Sequence, residues 1–287
     1  MKNSFGLNCL RTAVTVAMIT FTQTLWAAAV TPSGNLSAWA CTGVCGTSAA
    51  DGDIGLSPLA NSQYGYLSTF GSTEFGVSPL ALVPNGRGSG VEHNGSKIVS
   101  GAFHATAGDQ LDLRFNYIST DGKGFDDYAW ARLLNASDNS LVAWLYTARS
   151  TNSDTKNVVP GGVVDKLAFD PKAVIVDYAS FNFHSKTVND PVNWSLLGSS
   201  NGTCWRNNAA GCGFTDWLHS RVSFAADGDY RVEIGIVNWG DKFFDSGLAF
   251  DFTGLNAAPV PEPASLSLTL LGLGVFGLAA VRRRRIN

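Results

Sequence analysis

The sequence predicts an all-β chain, a single jelly-roll-like β-sandwich with a distinct apolar segment at either end. Three observations carry that reading. Apolar and polar residues alternate in short runs bounded by Gly, Asp, Asn and Ser, the pattern of strands with one face turned to a core. No stretch of the central region repeats its apolar residues at the spacing of an amphipathic helix. Of the 23 acidic residues in the 287-residue chain, only Glu74, Glu92, Glu233 and Glu262 are glutamates. Aspartate favours turns and glutamate favours helices, so this skew argues for many turns and few helices.

The first element is residues 1–29. Lys2 and Arg11 supply positive charge, Thr12 to Trp26 is mostly apolar and uncharged, and Ala27-Ala28-Ala29 offers a small-residue cleavage site. That order is a secretory signal peptide, with cleavage expected after Ala27 or Ala29. Its implied partners are the Sec translocon and signal peptidase. Residues 30–256 form the β-sandwich domain. With both ends set aside, 14 Lys and Arg face 22 Asp and Glu, a net charge of about −8. An acidic body of this kind disfavours nucleic acid and anionic lipid as partners.

Cys9 leaves with the leader, so Cys41, Cys45, Cys204 and Cys212 remain. An even count in an exported chain suggests disulfides. Of the three connectivities, the two local ones, Cys41–Cys45 and Cys204–Cys212, are favoured, each stapling a Gly-containing loop. The competing use is a four-thiolate zinc site, but zinc sites prefer C-x2-C pairs and these cysteines have three and seven residues between them.

Two alternations are the clearest strands. Leu111, Leu113, Phe115 and Tyr117 alternate with Asp112, Arg114 and Asn116, and Tyr230, Val232, Ile234 and Ile236 alternate with Arg231, Glu233 and Gly235. Each follows a Gly-Asp turn, Gly108-Asp109 or Gly228-Asp229, and each turn follows a short run headed by Phe103 or Phe224. The echo reads as a pair of hairpins, equivalent on two sheets or merely alike. Further strands are expected at Tyr128–Leu134, Leu141–Thr147, Ala173–Phe183 and Leu248–Phe252, with a long loop at Thr151–Gly162. Seven or more strands with turns between them imply a sandwich.

Candidate chemistry in the body is sparse. Gly198-Ser199-Ser200-Asn201-Gly202 matches G-x-S-x-G, with Asp216 and His219 downstream, but no strand–turn–helix context surrounds it and the spacing is too short for a hydrolase fold. His93, His104, His184 and His219 share no metal-ligand spacing, and no phosphate-cradling loop is present. Aspartates cluster in three places: Asp51 with Asp53, Asp121 with Asp126 and Asp127, and Asp241, Asp245 and Asp251 around the last strand pair. No cofactor is required, and Ca2+ is the one ion these oxygen-rich loops would suit, with Asp241, Asp245 and Asp251 as its candidate ligands. Trp194, Trp205 and Trp217 gather around the Cys204–Cys212 loop with Asn207, Asn208 and Asp216. Aromatic faces beside amides and carboxylates suit sugar rings, so these tryptophans are the candidate ligand site. Trp130 and Trp144 sit in apolar runs and are read as core.

The last element is residues 257–287. Pro261-Glu262-Pro263 precedes an apolar stretch of 16 residues, Leu266 to Val281, and then Arg282-Arg283-Arg284-Arg285. As a helix the stretch would reach roughly 24 Å, short of the ~30 Å hydrocarbon core by an amount that arginines reaching to the headgroups can cover. Four arginines after an apolar span are a stop-transfer signal and stay on the cytoplasmic side. The prolines hold the approach extended. The order of Pro-Glu-Pro, single transmembrane helix and arginine cluster resembles the PEP-CTERM sorting signal.

That resemblance implies processing by an exosortase, a membrane-embedded protease-transpeptidase of exopolysaccharide-producing Gram-negative bacteria. It implies transient anchoring in the inner membrane and then delivery to the cell surface or extracellular matrix. The body's texture, from Cys41-Thr42-Gly43-Val44-Cys45 through Asp127-Tyr128-Ala129-Trp130 to Asn238-Trp239-Gly240-Asp241, also resembles exported PEP-CTERM proteins of a single β-domain. The resulting expectation is a non-enzymatic envelope or matrix protein. A module binding the cell's own exopolysaccharide is the alternative, and a secreted hydrolase using Ser200 or His219 the weaker one.

Overall fold

A computed structural model describes residues 34–79, 90–122, 125, 127–149, 183–206 and 211–254. The leader, the tail from residue 257, the loop at 151–162 and residues 173–182 of the expected Ala173–Phe183 strand lie outside the described residues. Along the described chain run β1 (Ala40–Thr42), β2 (Val44–Ser48), β3 (Tyr64–Ser68), β4 (Glu92–Val99) and β5 (Phe103–Ala105). There follow β6 (Gln110–Ser119), β7 (Tyr128–Asn135), β8 (Leu141–Arg149), β9 (His184–Ser185) and a 3-10 helix (Ser195–Ser200). The last strands are β10 (Gly213–Phe214), β11 (Leu218–Ser223), β12 (Gly228–Trp239) and β13 (Ser246–Phe252).

The strands form two antiparallel sheets packed as a sandwich. One has the order β1-β4-β12-β7-β8, with β5 also on β12; the other has β2-β3-β13-β6-β10-β9, with β11 also on β6. The alternation read in β6 and β12 sets their inner faces. Leu111, Leu113, Phe115 and Tyr117 meet Val232, Ile234 and Ile236 in one core, joined by Leu67, Leu248, Phe250 and Phe252. Burying such side chains is worth about 1.5–3 kcal/mol each, the main favourable term for a fold of this kind.

Each sheet is also partly covered on its outer face. Val77, Tyr128, Trp130, Trp144, Val237 and Trp239 form a second cluster outside the first sheet. Trp130 and Trp144 are therefore core residues, although of this outer cluster. Trp130 lies flat across Gly235, where a Cβ would come within 2.1 Å of the ring. Its indole N–H donates to Glu233, whose carboxylate also takes the Arg132 Nε at 2.7 Å. Outside the second sheet, the segment 183–206 lays Val192, Trp194 and Leu197 over Ile54, Tyr64, Ile118 and Ala249. This cover explains why only the Asp112–Arg114 end of β6 is wet: Asn116 and Ile118 beyond it are buried.

The Gly-Asp echo is real, but it does not mark hairpins. β5 pairs with β12 and β11 with β6, so both turns carry the chain from one sheet to the other at the same end of the sandwich. The two corners bond to each other: Gly108 N donates to Phe224 O at 2.8 Å, and Phe224 N to Asp109 O at 2.9 Å. Phe103, Phe224 and Tyr230 close over that end with centroids 4.8–6.3 Å apart. Turn chemistry specifies a reversal, and the apolar faces decide which sheet receives the next strand.

Both expected disulfides are present, Cys41–Cys45 and Cys204–Cys212. The first staples a crossing. β1 pairs with β4 in one sheet, β2 with β3 in the other, and Gly43 turns between them at φ +84°. The backbone conformation and the close approach of Ser96 and Ser72 both require glycine there.

Candidate functional site

The three tryptophans do not make one exposed surface. Trp194 is wholly buried; its indole N–H donates to the Tyr64 hydroxyl at 2.9 Å and its ring lies against Gly247. No face remains for a sugar, because the outer side of the second sheet already occupies it. Trp217 is partly buried, donates to Gly55 O at 3.0 Å and meets the edge of Tyr64. Trp205 sits against Gly122, with the Arg206 guanidinium 4.2 Å over its ring and Phe125 edge-on at 5.0 Å. These rings clasp loops to the sandwich.

The three candidate ion ligands do not converge on one point either. Asp245 immediately precedes β13 and Asp251 stands near its end, six residues on, which is about 20 Å along an extended strand. Asp251 is buried, accepting from Ser57 and from Asn61 Nδ2 at 2.8 Å, while Asp241 caps the Phe243 N–H at 2.8 Å. They cannot share an ion. Among the described residues no three Asp, Glu, His or Cys side chains stand close enough to hold a metal. Asp51 and Asp53 tie down the covering segment, Asp51 through both Ser195 groups and Asp53 through Asn193 N and Lys186. Asp126 lies outside the described residues.

Ser200 is no nucleophile elbow in geometry. It ends the 3-10 helix, and its hydroxyl donates to Asp245 Oδ2 at 2.7 Å with no imidazole between. His219 instead bonds Asp112, together with Arg221, on the opposite side of the β6–β11 pair from the core.

What the fold does assemble is a cleft of about 390 Å3 at the end of the sandwich opposite the Gly-Asp corners. Its walls come from the turn after β3, the start of β4, the 3-10 helix and the β12–β13 loop, and they present Phe70, Thr73, His93, Ser199, Lys242 and Asp245. The walls are tied together from below. Asp245 accepts from the Thr69 hydroxyl at 2.9 Å as well as from Ser200, and Asn94 Nδ2 donates to Thr69 O at 2.7 Å. His93 Nε2 contacts Gly240 O at 3.1 Å. The β12–β13 loop holds an uncommon backbone, Gly240 at φ +105° and Phe244 at φ +58°. Phe70 rests on Gly198, itself at φ +54°, where any Cβ would strike the ring at 2.0 Å. Sequence reasoning missed this site because Phe70, His93, Ser199 and Lys242 come from four separate segments with no shared spacing.

Behind the cleft lie two buried carboxyls. Asp127 is buried, taking Trp239 N at 2.9 Å and the Ser246 hydroxyl at 2.7 Å. Ser246 in turn bonds Ser119, whose hydroxyl receives Asp121 N. Burial is the main cause pushing both carboxyls up, Asp121 to about 10, with the charge of Asp127 next for Asp121. For Asp127 the charges of Asp241 and Asp245 push the same way, against the hydrogen bonds from Ser246 and Trp239.

The destination of the chain is decided at its other end. The model of the PEP-CTERM protein-sorting motif matches residues 259–285. The chain ends in a PEP-CTERM signal. It marks an exported protein, sorted at the membrane with an exosortase as processing partner and then passed to the cell surface.

The body of this PEP-CTERM protein has distant likenesses among solved structures. The enzymatically active domain of bacteriophage CBA120 tailspike protein 4 aligns over 77% of this chain and 20% of its own, at 12% identity and a TM-score of 0.29. The K3 cleaved adhesin domain of Lys-gingipain from Porphyromonas gingivalis aligns over 73% and 91%, at 12% identity and a TM-score of 0.25. The chain thus spans about a fifth of the tailspike domain's length. No curated protein matches the sequence significantly. Among the described residues no helix is long and apolar enough to cross a membrane; the expected span at Leu266–Val281 lies outside them.

Proposed function

We propose that this PEP-CTERM protein is a non-enzymatic component of the cell envelope or extracellular matrix of a Gram-negative bacterium. The single observation supporting it most strongly is the sorting motif at residues 259–285, preceded by a body of net negative charge with two disulfides. Export begins at the Sec translocon, signal peptidase removes residues 1–29, and the apolar segment Leu266–Val281 halts transfer with Arg282–Arg285 left inside. Exosortase then acts at Pro261-Glu262-Pro263, and the body makes contacts at the surface. The serine of the G-x-S-x-G run, spent on Asp245, favours this over a hydrolase. No cofactor enters the reading.

The test is fractionation of the native host with and without its exosortase, and with Pro261, Glu262 and Pro263 changed to alanine. The wild-type body should leave the inner membrane, and both perturbations should hold the chain there at full length. An unchanged distribution in all three would reduce the tail to a plain anchor.

A further inference from the structure

We propose that the cleft beside Lys242 is a binding site for an acidic sugar residue of an extracellular glycan, with Phe70 as the ring platform and Lys242 as the partner of the sugar carboxylate. Its volume, about 390 Å3, falls within the range of small-ligand sites. An aromatic ring forms part of its wall. Phe70 lines the cleft at 38% exposure, so a face of its ring is open to a ligand.

The polar groups divide into those that build the walls and those left for a ligand. Thr69, Ser200, Asn94 and Asp245 are consumed by one another. Both Asp245 carboxylate oxygens accept hydroxyl donors, so the one anion in the lining is turned into the protein. The exposed side chains of Thr73, Ser199 and Lys242 have no hydrogen-bond partner among the described residues, and they supply two hydroxyls and one ammonium at the rim. A flat apolar ring, hydroxyls that donate and accept, and one cation match a pyranose with a carboxylate better than an apolar molecule. The ring is also preorganised: Gly198 supports Phe70 from below, and backbone bonds fix both flanking turns, so little ordering is lost on binding.

The inference rests on the matrix reading only for where the glycan is met, and the two fail separately: fractionation tests sorting and titration tests the cleft. The mature protein, purified from its host, is titrated by calorimetry with a short oligouronate and with a neutral gluco-oligosaccharide of equal length. At 0.15 M salt, where the body's net negative charge is screened beyond about 8 Å, the oligouronate should bind about 3- to 10-fold more tightly, a ratio of the size one exposed ion pair provides. Lys242→Ala should erase that preference without shifting Tm, since the side chain is exposed. Phe70→Ala should weaken both probes about 10-fold or more, while Phe70→Tyr, which keeps the ring on Gly198, should retain binding. Trp205→Ala, outside the cleft, should leave both affinities unchanged. Absence of oligouronate binding, or equal affinities in wild type, Phe70→Ala and Lys242→Ala, would overturn the proposal.

Discussion

The folded protein will lose stability as pH rises, and Asp127→Asn will remove much of that loss. The unfolded chain gives up each aspartate proton near 3.8, whereas burial holds the Asp121 proton until about 10 and raises Asp127 well above its usual range. Between those limits the native state binds more protons than the unfolded state, so unfolding free energy falls with pH. The slope reaches roughly 1 kcal/mol per pH unit for each carboxyl. Below pH 3.8 both states are protonated and nothing more is gained. Asparagine can still accept the Trp239 N–H and can donate to Ser246, so the variant keeps the network without the titration. Thermal unfolding of wild type and Asp127→Asn across pH 4–10 should give curves that meet at the acid end and diverge at the alkaline end, the variant lying higher. Parallel curves would mean that Asp127 is not held neutral.

Trp194→Ala should destabilise the body by about 3–5 kcal/mol, the usual consequence of deleting a fully buried aromatic. The indole fills the space over Gly247, meets Tyr66 edge-on at 6.2 Å and satisfies the Tyr64 hydroxyl. Its loss opens a cavity and frees the segment 183–206 from the second sheet. Urea denaturation reads the change as a lower midpoint at unchanged slope. A ligand-stacking tryptophan at this position would instead leave the midpoint where it was.

Trp194 also illustrates the limit of local sequence. Asn193-Trp194-Ser195 reads as a polar loop, and its burial depends on Gly247, where a side chain would strike the indole that now lies flat on β13. By contrast, the β6 and β12 alternations were legible because each strand's inner face is apolar along its length. β4 was not. Glu92-His93-Asn94-Gly95-Ser96-Lys97 looks like a loop, yet it is a central strand whose polar atoms are satisfied across the fold. The Ser96 hydroxyl donates to Ser68 O and accepts Val44 N, and Glu92 takes Val77 N and Ser78 N. Periodicity cannot register burial achieved by hydrogen bonding. The local disulfides were readable from parity and spacing, although not that Cys41–Cys45 would bridge the step between sheets. The cleft was hidden for a topological reason: the reversal after β3 and the β12–β13 loop meet only because β3 and β13 pair.

The central claim is that an exosortase-type cut separates the body from its tail. Intact-mass spectrometry of the protein recovered from the cell surface or medium tests it most directly. The account predicts two disulfides, loss of residues 1–29 within a few positions, and a new C-terminus at or near Pro261-Glu262-Pro263 without Arg282–Arg285. Recovery of the chain ending at Asn287 with its arginines in place would contradict it.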